Sequence, residues 1–283
     1  MEDNLFGLHY ELKNRIYRHS NYTSFYITDP KQRHIHKACV KDRIVHRAVY
    51  RVLYPIFDKF FIYDSYSCRL KKGTHRAVDR LEKFTLKVSR NYTGPCWALK
   101  CDVKKFFASV DHQVMLSLIK RRIRDKEVLW LISEIISSFQ SRERERETIG
   151  LPIGNLSSQL FANIYLNELD QFIKHRLKIK YYLRYCDDFI ILDNNRQNLE
   201  NLIGQIQFFL ECQLSLKLHP RKIIIRRINQ GIDFLGYVIL PHYRVLRTKT
   251  KRRILKRINE KNLPSYLGVL RHCSGYKIKE SVC

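Results

Sequence analysis

Tyr181-Tyr182-Leu183-Arg184-Tyr185-Cys186-Asp187-Asp188-Phe189-Ile190-Ile191-Leu192 consists of two short apolar runs joined by an acidic turn. Tyr181 to Tyr185 and Phe189 to Leu192 have the composition of buried strands, and Cys186-Asp187-Asp188 between them is a tight turn. The segment therefore reads as a hairpin emerging from a core. Two carboxylates side by side at such a turn repel unless a cation neutralises them. A third acid has a similar setting. Trp97-Ala98-Leu99-Lys100-Cys101-Asp102-Val103 reads as a buried strand, with Asp102 near its end. If the two segments are neighbours in one sheet, Asp102 and Asp187 face one another across a small gap. Carboxylates so placed offer the hard oxygen ligands that suit a pair of Mg²⁺ ions, with Mn²⁺ as a substitute.

Working outwards, strands and helices alternate through most of the chain, which predicts an α+β core with basic appendages. Residues 5–19 read as a short basic helix. Phe25-Tyr26-Ile27 and Arg33 to Lys37 read as strands around a turn at Asp29-Pro30-Lys31-Gln32, making a basic hairpin. Helical spacing runs from Asp42 to about Phe61, with Pro55 near a kink or break. Further helices are expected at 74–88 after Gly73, from Asp111 towards Arg121, at 126–139, from Ser157 to about Leu177, and at 196–214. Asp111 is placed to cap its helix. Arg142 to Glu147 alternates in sign and suits a solvated strand or loop. Ile223 to Arg227 and Phe234 to Ile239 read as strands, and Arg247 to Lys261 as a helix.

The chain has 283 residues, with 53 Lys and Arg against 27 Asp and Glu, a formal net charge of +26. Hydrophobic residues make up 45 % and aromatic residues 12 %, which excludes a disordered basic tail. So large a positive excess calls for a polyanionic partner, with nucleic acid ahead of an anionic membrane. The Met1-Glu2-Asp3-Asn4 start has no secretory character, and no 18-residue apolar window exists, so a cytoplasmic protein without a membrane span is expected. The eight cysteines contain no Cys-x-x-Cys pair and read as reduced thiols. His34 and His36 alternate on a strand without a third ligand nearby, so zinc is not expected.

Four ordered motifs carry a resemblance. Tyr185-Cys186-Asp187-Asp188 matches the Tyr-x-Asp-Asp hallmark of reverse transcriptases. Cys101 to Phe107 matches the strand that supplies their first metal carboxylate. Gly150-Leu151-Pro152-Ile153-Gly154-Asn155-Leu156-Ser157-Ser158-Gln159 matches the loop and helix that contact nucleotide and template. Gly231 to Tyr237 resembles the later hairpin near the primer. The resemblance covers residues 10–275 and implies a right-hand polymerase fold. Fingers and the start of the palm would occupy 1–95, the palm 96–240, and a short basic helical thumb 241–283.

Within that family the chain is most similar to the reverse transcriptases of diversity-generating retroelements, themselves related to the group II intron type. Ile153 stands where many relatives have glutamine, and Ser158-Gln159 where they have Ser-Pro. Asp29-Pro30-Lys31-Gln32-Arg33, Lys41 to His46 and Gly73-Thr74-His75 are likewise similar to that group. Such enzymes copy a template-repeat RNA into error-bearing cDNA that replaces a variable repeat in a target gene. Partners implied are template RNA, a DNA or RNA primer, deoxynucleoside triphosphates and a basic oligomeric accessory variability protein. RNA, or a contact at Glu143, Glu145 and Glu147, would join that protein to a polymerase of like charge. Rival readings are the same fold in another retroelement or defence system, and a catalytically silent RNA-binding protein.

The resemblance also assigns roles. Asp102, Asp187 and Asp188 would hold the metals, with the Val103 carbonyl as a further ligand. Phe107 would place a ring under the incoming sugar, the alternative being a core phenylalanine on a strand with Phe106. Arg33 and Arg43 would contact the triphosphate through paired hydrogen bonds. Ile153, Gly154 and Gln159 would border the nucleotide, and Ile153 would loosen the base-pair pocket. Lys222 is a candidate proton donor to pyrophosphate. Arg69 would contact template or support the fingers. Arg221 to Glu260 holds twelve Lys and Arg against two Asp and Glu, so Arg247, Lys249, Lys251, Arg252 and Arg253 would grip duplex phosphates.

Overall fold

The computed structural model describes residues 2–28, 31–139 and 149–275. The expected turn at Asp29-Pro30, the sign-alternating stretch from Arg142 to Glu147 and the last eight residues of the expected thumb lie outside the described residues. In chain order the elements are α1 (Glu2–Lys13), β1 (Thr23–Ile27), β2 (Arg33–Lys37), α2 (Val40–Phe57), α3 (Thr74–Val88), β3 (Trp97–Asp102), α4 (Phe106–Ser109), α5 (His112–Lys120), α6 (Lys126–Ser137), α7 (Leu156–Gln171), β4 (Tyr182–Tyr185), β5 (Asp188–Asp193), α8 (Arg196–Leu214), β6 (Ile224–Arg227), β7 (Ile232–Phe234), β8 (Tyr237–Leu240), β9 (Tyr243–Leu246), α9 (Thr248–Arg257) and α10 (Leu263–Leu270). The fold divides into two compact units, each built from three stretches of chain.

The first unit comprises Met1–Tyr63, Val103–Phe172 and Gln207–Lys217. Here β1 and β2 form an antiparallel hairpin with Phe25 opposite Ile35. Helix α2 packs on α7, and α5 packs on α6 and α7. Apolar residues at helical spacing explain this: Val45, Val49 and Leu53 of α2 are buried, as are Leu160, Phe161 and Ile164 of α7. Asp111 caps α5 by accepting from the backbone N–H groups of Gln113 and Val114.

A buried polar chain fastens the N-terminal segment to α2 and α7. Tyr17 donates to Asp42 (2.7 Å), His19 and His46 share a hydrogen bond between their Nε2 atoms (3.0 Å), and His46 Nδ1 meets Ser157 Oγ (2.5 Å). This network shortens the expected N-terminal helix. Instead of continuing to residue 19, α1 stops at Lys13, and Arg15 takes a left-handed φ of 58°. The chain then turns inward to seat the fully buried Tyr17.

The second unit comprises Asp64–Asp102, Ile173–Ile206 and Leu218–Cys283. Its main sheet has the strand order β4-β5-β3-β6, all antiparallel, and a second sheet has the order β7-β8-β9. Leu81 and Phe84 of α3, Ile190 and Leu192 of β5, and Phe234 and Ile239 belong to one apolar core. The single strand expected over Phe234 to Ile239 is in fact the junction of β7 and β8. Phe234 pairs with Tyr237 across Leu235-Gly236, which have φ of 49° and 93°. Two consecutive positive φ values make the tight two-residue hairpin turn whose twist matches its strands. Strand β9 and helix α10 were not foreseen from the sequence.

Candidate active site

The register of the four-stranded sheet brings the acids together. Asp102 ends β3 directly opposite Asp188, which opens β5, and Tyr185 of β4 is the other partner of Asp188. Asp188, the residue after Asp187, is thus the one directly opposite Asp102 in the sheet. Asp187 occupies the turn beside the pair, and Cys186 before it adopts a left-handed φ of 57°. The main chain of this turn is supported from below. Arg184, fully buried within β4, donates to the Cys186 carbonyl (2.9 Å) and to Ser65 Oγ (3.2 Å). Residues 64–66 run beside β4, with the Arg184 N–H donating to the Asp64 carbonyl and the Tyr66 N–H to the Arg184 carbonyl.

Two lysines face the acids. Lys222 Nζ lies 2.7 Å from Asp102 Oδ2, and Lys100 Nζ lies 3.3 Å from Asp188 Oδ2. The turn carrying Lys222 is tied to the strand end, because the His219 N–H donates to the Asp102 carbonyl (2.8 Å). Asp188 Oδ1 is buried and has no hydrogen-bond partner. A buried carboxylate oxygen without a donor is costly in a metal-free protein and is relieved by a cation. Among the described residues, no three His, Cys, Asp or Glu side chains converge closely enough to hold one ion as they stand.

Electrostatics follow from this crowding. Burial, reinforced by the charge of Asp102, holds the Asp187 carboxyl above its ordinary range. Burial pushes Asp188 up to about 6, with Lys100 opposing it and the charges of Asp102 and Asp187 adding to it. The sign for stability follows directly. With its folded pKa raised, Asp188 binds more protons in the folded state between about pH 4 and 6, so its contribution falls as pH rises through that window. His46 acts oppositely, since burial lowers it to about 4. Melting metal-free wild type and Asp188→Asn side by side isolates the carboxylate. The wild type is expected to lose stability relative to the variant between pH 4 and 7, and Mg²⁺ is expected to remove the difference. A difference that stays flat with pH would refute this account.

The first unit gathers a second set of expected site residues. The His36 N–H of β2 donates to the Ile153 carbonyl (2.9 Å). Asn155 accepts from the Ala38 N–H and donates to the His36 carbonyl. Gly154 has φ of 117°, and a Cβ there would come within 2.8 Å of Ile35. Only glycine fits so close to the hairpin that carries the exposed Arg33. The Leu151 N–H donates to the Phe107 carbonyl (2.6 Å). Gln159 is exposed on the first turn of α7, Arg43 is exposed on α2, and Val103 is buried.

The structure corrects the expectation that Phe106 and Phe107 lie on a strand. Lys105 turns the chain with φ of 47° and they open the short helix α4, Phe106 buried and Phe107 half-buried.

The basic residues near the C-terminus behave differently from one another. Lys249, Lys251 and Arg252 are exposed on α9, and Arg253 is half-buried. Arg247 is held by Asp233, with its Nε 2.8 Å from Oδ1. Arg69 donates to the Ser65 carbonyl (3.1 Å). Two residues at the acids were missed from sequence. Lys100 lies two positions before Asp102, hence on the same face of β3, and Arg184 interrupts an apolar strand; both were detectable signals.

A reverse transcriptase (RNA-dependent DNA polymerase) family model matches residues 28–239, and the chain belongs to that family of nucleotidyltransferases. Among curated proteins, Escherichia coli (strain K12) Protein YkfC is 27 % identical over 71 % of this chain and 61 % of its own length. Group II intron-encoded protein LtrA of Lactococcus lactis subsp. cremoris is 25 % identical over 75 % of this chain and 44 % of its own. Nuclear intron maturase 1, mitochondrial, of Arabidopsis thaliana is 26 % identical over 70 % and 40 %. The chain thus spans roughly two to three fifths of these relatives' lengths. Apo telomerase from Candida Tropicalis shares the fold at a TM-score of 0.62 and 13 % identity, over 85 % of this chain and 50 % of that one. Relationship to group II intron reverse transcriptases and an α+β polymerase fold are therefore established. Among the described residues no helix is long and apolar enough to cross a membrane.

Proposed function

We propose that the chain is an RNA-directed DNA polymerase of a diversity-generating retroelement, copying a template-repeat RNA into cDNA from a DNA or RNA primer and deoxynucleoside triphosphates. The observation that carries the polymerase reading is the meeting of Asp102 and Asp188 across one register position, with Asp187 in the adjoining turn and Asp188 Oδ1 unpartnered. The donor set fits magnesium, being all oxygen and electrostatically unsatisfied. Two Mg²⁺ ions, or Mn²⁺ in their place, would supply activation of a primer 3′-hydroxyl and stabilisation of the departing pyrophosphate. Asp102, Asp187 and Asp188 would hold them, with the Val103 carbonyl. Lys222, released from Asp102, would stand ready to donate a proton to pyrophosphate. Arg33 and Arg43 would bind the triphosphate, while Lys249, Lys251, Arg252 and Arg253 would hold the duplex through sequence-independent phosphate contacts.

Ile153 and Ser158-Gln159 support the narrower assignment. An aliphatic residue beside the nucleotide gives up hydrogen bonds that would penalise a mismatched pair. A basic accessory oligomer would be joined to this basic chain through RNA. The intron-encoded relatives favour a second reading, in which the same polymerase serves an intron. Primer extension on RNA with Mg²⁺ and deoxynucleotides tests the activity. No incorporation by folded protein with native RNA and accessory protein would leave a silent RNA-binding protein. Ile153→Gln is expected to lower misincorporation, most visibly opposite template adenine, when the products are sequenced. Equal or greater error in the variant would sink the link between Ile153 and fidelity.

A further inference from the structure

Lys100 is an unusual residue for its place. It lies in the middle of β3, between Ile190 of β5 and Ile224 of β6. Strand alternation puts it on the same sheet face as Asp102. Its ammonium group reaches three things in the same unit. It donates to the Asp233 carbonyl at 2.9 Å, approaches Asp188 Oδ2 at 3.3 Å, and stands 5.9 Å from the centre of the Phe234 ring. Its side chain is 20 % exposed, against 40 % for Lys222, whose ammonium group binds Asp102. An ammonium held by a buried strand's carbonyl and a carboxylate is far more constrained than one at the end of an exposed stem. The two lysines therefore differ in kind. Lys222 can be displaced from its acid, while Lys100 is built in.

We infer that Lys100 is a positioning residue for Asp188: it holds Oδ2, leaves Oδ1 as the oxygen offered to a cation, and ties that orientation to the Ile232–Phe234 strand. The inference rests on the polymerase reading for its catalytic consequence, though not for the geometry. It also gives the acid a mechanical link to the basic helix. Asp233, whose carbonyl accepts from Lys100, uses its carboxylate to accept from Arg247, and the Arg247 N–H donates to the Gly236 carbonyl just before α9 begins. Seating of the β7–β9 sheet and α9 on nucleic acid would thus be felt at Asp188.

A lysine serving only as a counter-charge would become dispensable once metal is bound, because it competes with the cation for the same acid. A positioning lysine would still be needed. Lys100→Met and Lys100→Arg separate these cases, with melting curves confirming that each variant folds. Lys100→Met is expected to bind Mn²⁺, followed by electron paramagnetic resonance, more weakly than wild type, because Oδ1 is no longer held towards the ion, whereas loss of a mere counter-charge would tighten binding. At saturating Mg²⁺ its kcat on a preformed primer–template is expected to fall at least about 10-fold with little change in nucleotide KM, because one acid is misplaced in the reacting complex. Lys100→Arg, which can reach the same two acceptors, should recover most of the rate. A Lys100→Met kcat within about twofold of wild type, equal or tighter Mn²⁺ binding, or no recovery with arginine would each overturn the inference. Wild-type protein without any incorporation would refute the polymerase reading alone. The Mn²⁺ comparison would then decide the role of Lys100, with weaker binding by Lys100→Met that Lys100→Arg restores upholding it and equal or tighter binding overturning it.

Discussion

Replacing Asp187 with asparagine is expected to abolish deoxynucleotide addition while leaving the metal-free protein as stable as before, or more so. The two effects have one origin. Asp187 sits in a turn with Asp188 beside it and the Asp102–Asp188 pair at its edge, and burial together with the charge of Asp102 already disfavours its ionised form. Without a cation the charge is a burden to the fold, and asparagine keeps the shape while removing it. With a cation the same charge would hold the ion where the proposed reaction brings phosphates. Losing it should cost at least about 10³-fold in single-turnover incorporation, equivalent to roughly 4 kcal/mol of barrier. Melting curves in EDTA should place the variant level with wild type or above it, and Mg²⁺ should raise the wild-type curve more. Activity within tenfold of wild type, or a clear loss of stability in EDTA, would contradict the role given to this acid. Such opposition between activity and stability is characteristic of a site whose strain is functional, and a purely structural acid would not produce it.

The acids were legible because their surroundings are simple. A doublet of aspartates between two apolar runs, and a third ending another such run, leaves few arrangements other than neighbouring strands. What sequence could not give was the register. Pairing Asp102 with Asp188 and leaving Asp187 in the turn depends on where the hairpin closes, and that is set by the left-handed Cys186 and by Arg184 beneath it. Lys105, Leu235 and Arg15 were missed for a related reason. Each takes a positive φ that nothing in its side chain demands, so tertiary contacts impose the turn. Helix 74–88 matched its reading because Gly73 ends the preceding loop and Ala77, Val78, Leu81 and Phe84 mark a single buried face.

The positive charge divides in the same light. Arg244 and Arg247 meet Asp79 and Asp233 within their own unit. Lys249, Lys251 and Arg252 of α9 are exposed and are the ones proposed to meet phosphate. A count of lysines and arginines overstates the part available to nucleic acid, because several are structural. Neutralising Lys249, Lys251 or Arg252 should therefore weaken duplex binding without loosening the sheets.

Phe107→Val is expected to let ribonucleotides in. The two adjacent phenylalanines have been given different tasks by the left-handed turn at Lys105, with Phe106 in the core at 2 % exposure and Phe107 only half-buried. Their rings meet edge to face at 5.2 Å, so the buried ring braces its neighbour. The Phe107 carbonyl accepts from Leu151, which fixes the residue against the same loop that carries Ile153 and Gly154. At the floor of the proposed nucleotide site, a ring so braced would exclude a 2′-hydroxyl by contact, without any hydrogen bond to read it. Shortening the ring should raise the kcat/KM for ribonucleotides relative to deoxynucleotides by about 100-fold, or roughly 3 kcal/mol. Phe106→Val serves as the contrast, since it empties core volume and should lower the melting temperature with little effect on the sugar ratio. If Phe107 were core packing alone, the two variants would behave alike. A sugar ratio unchanged in Phe107→Val would therefore remove this residue from the nucleotide site and leave ribose exclusion to another part of the chain.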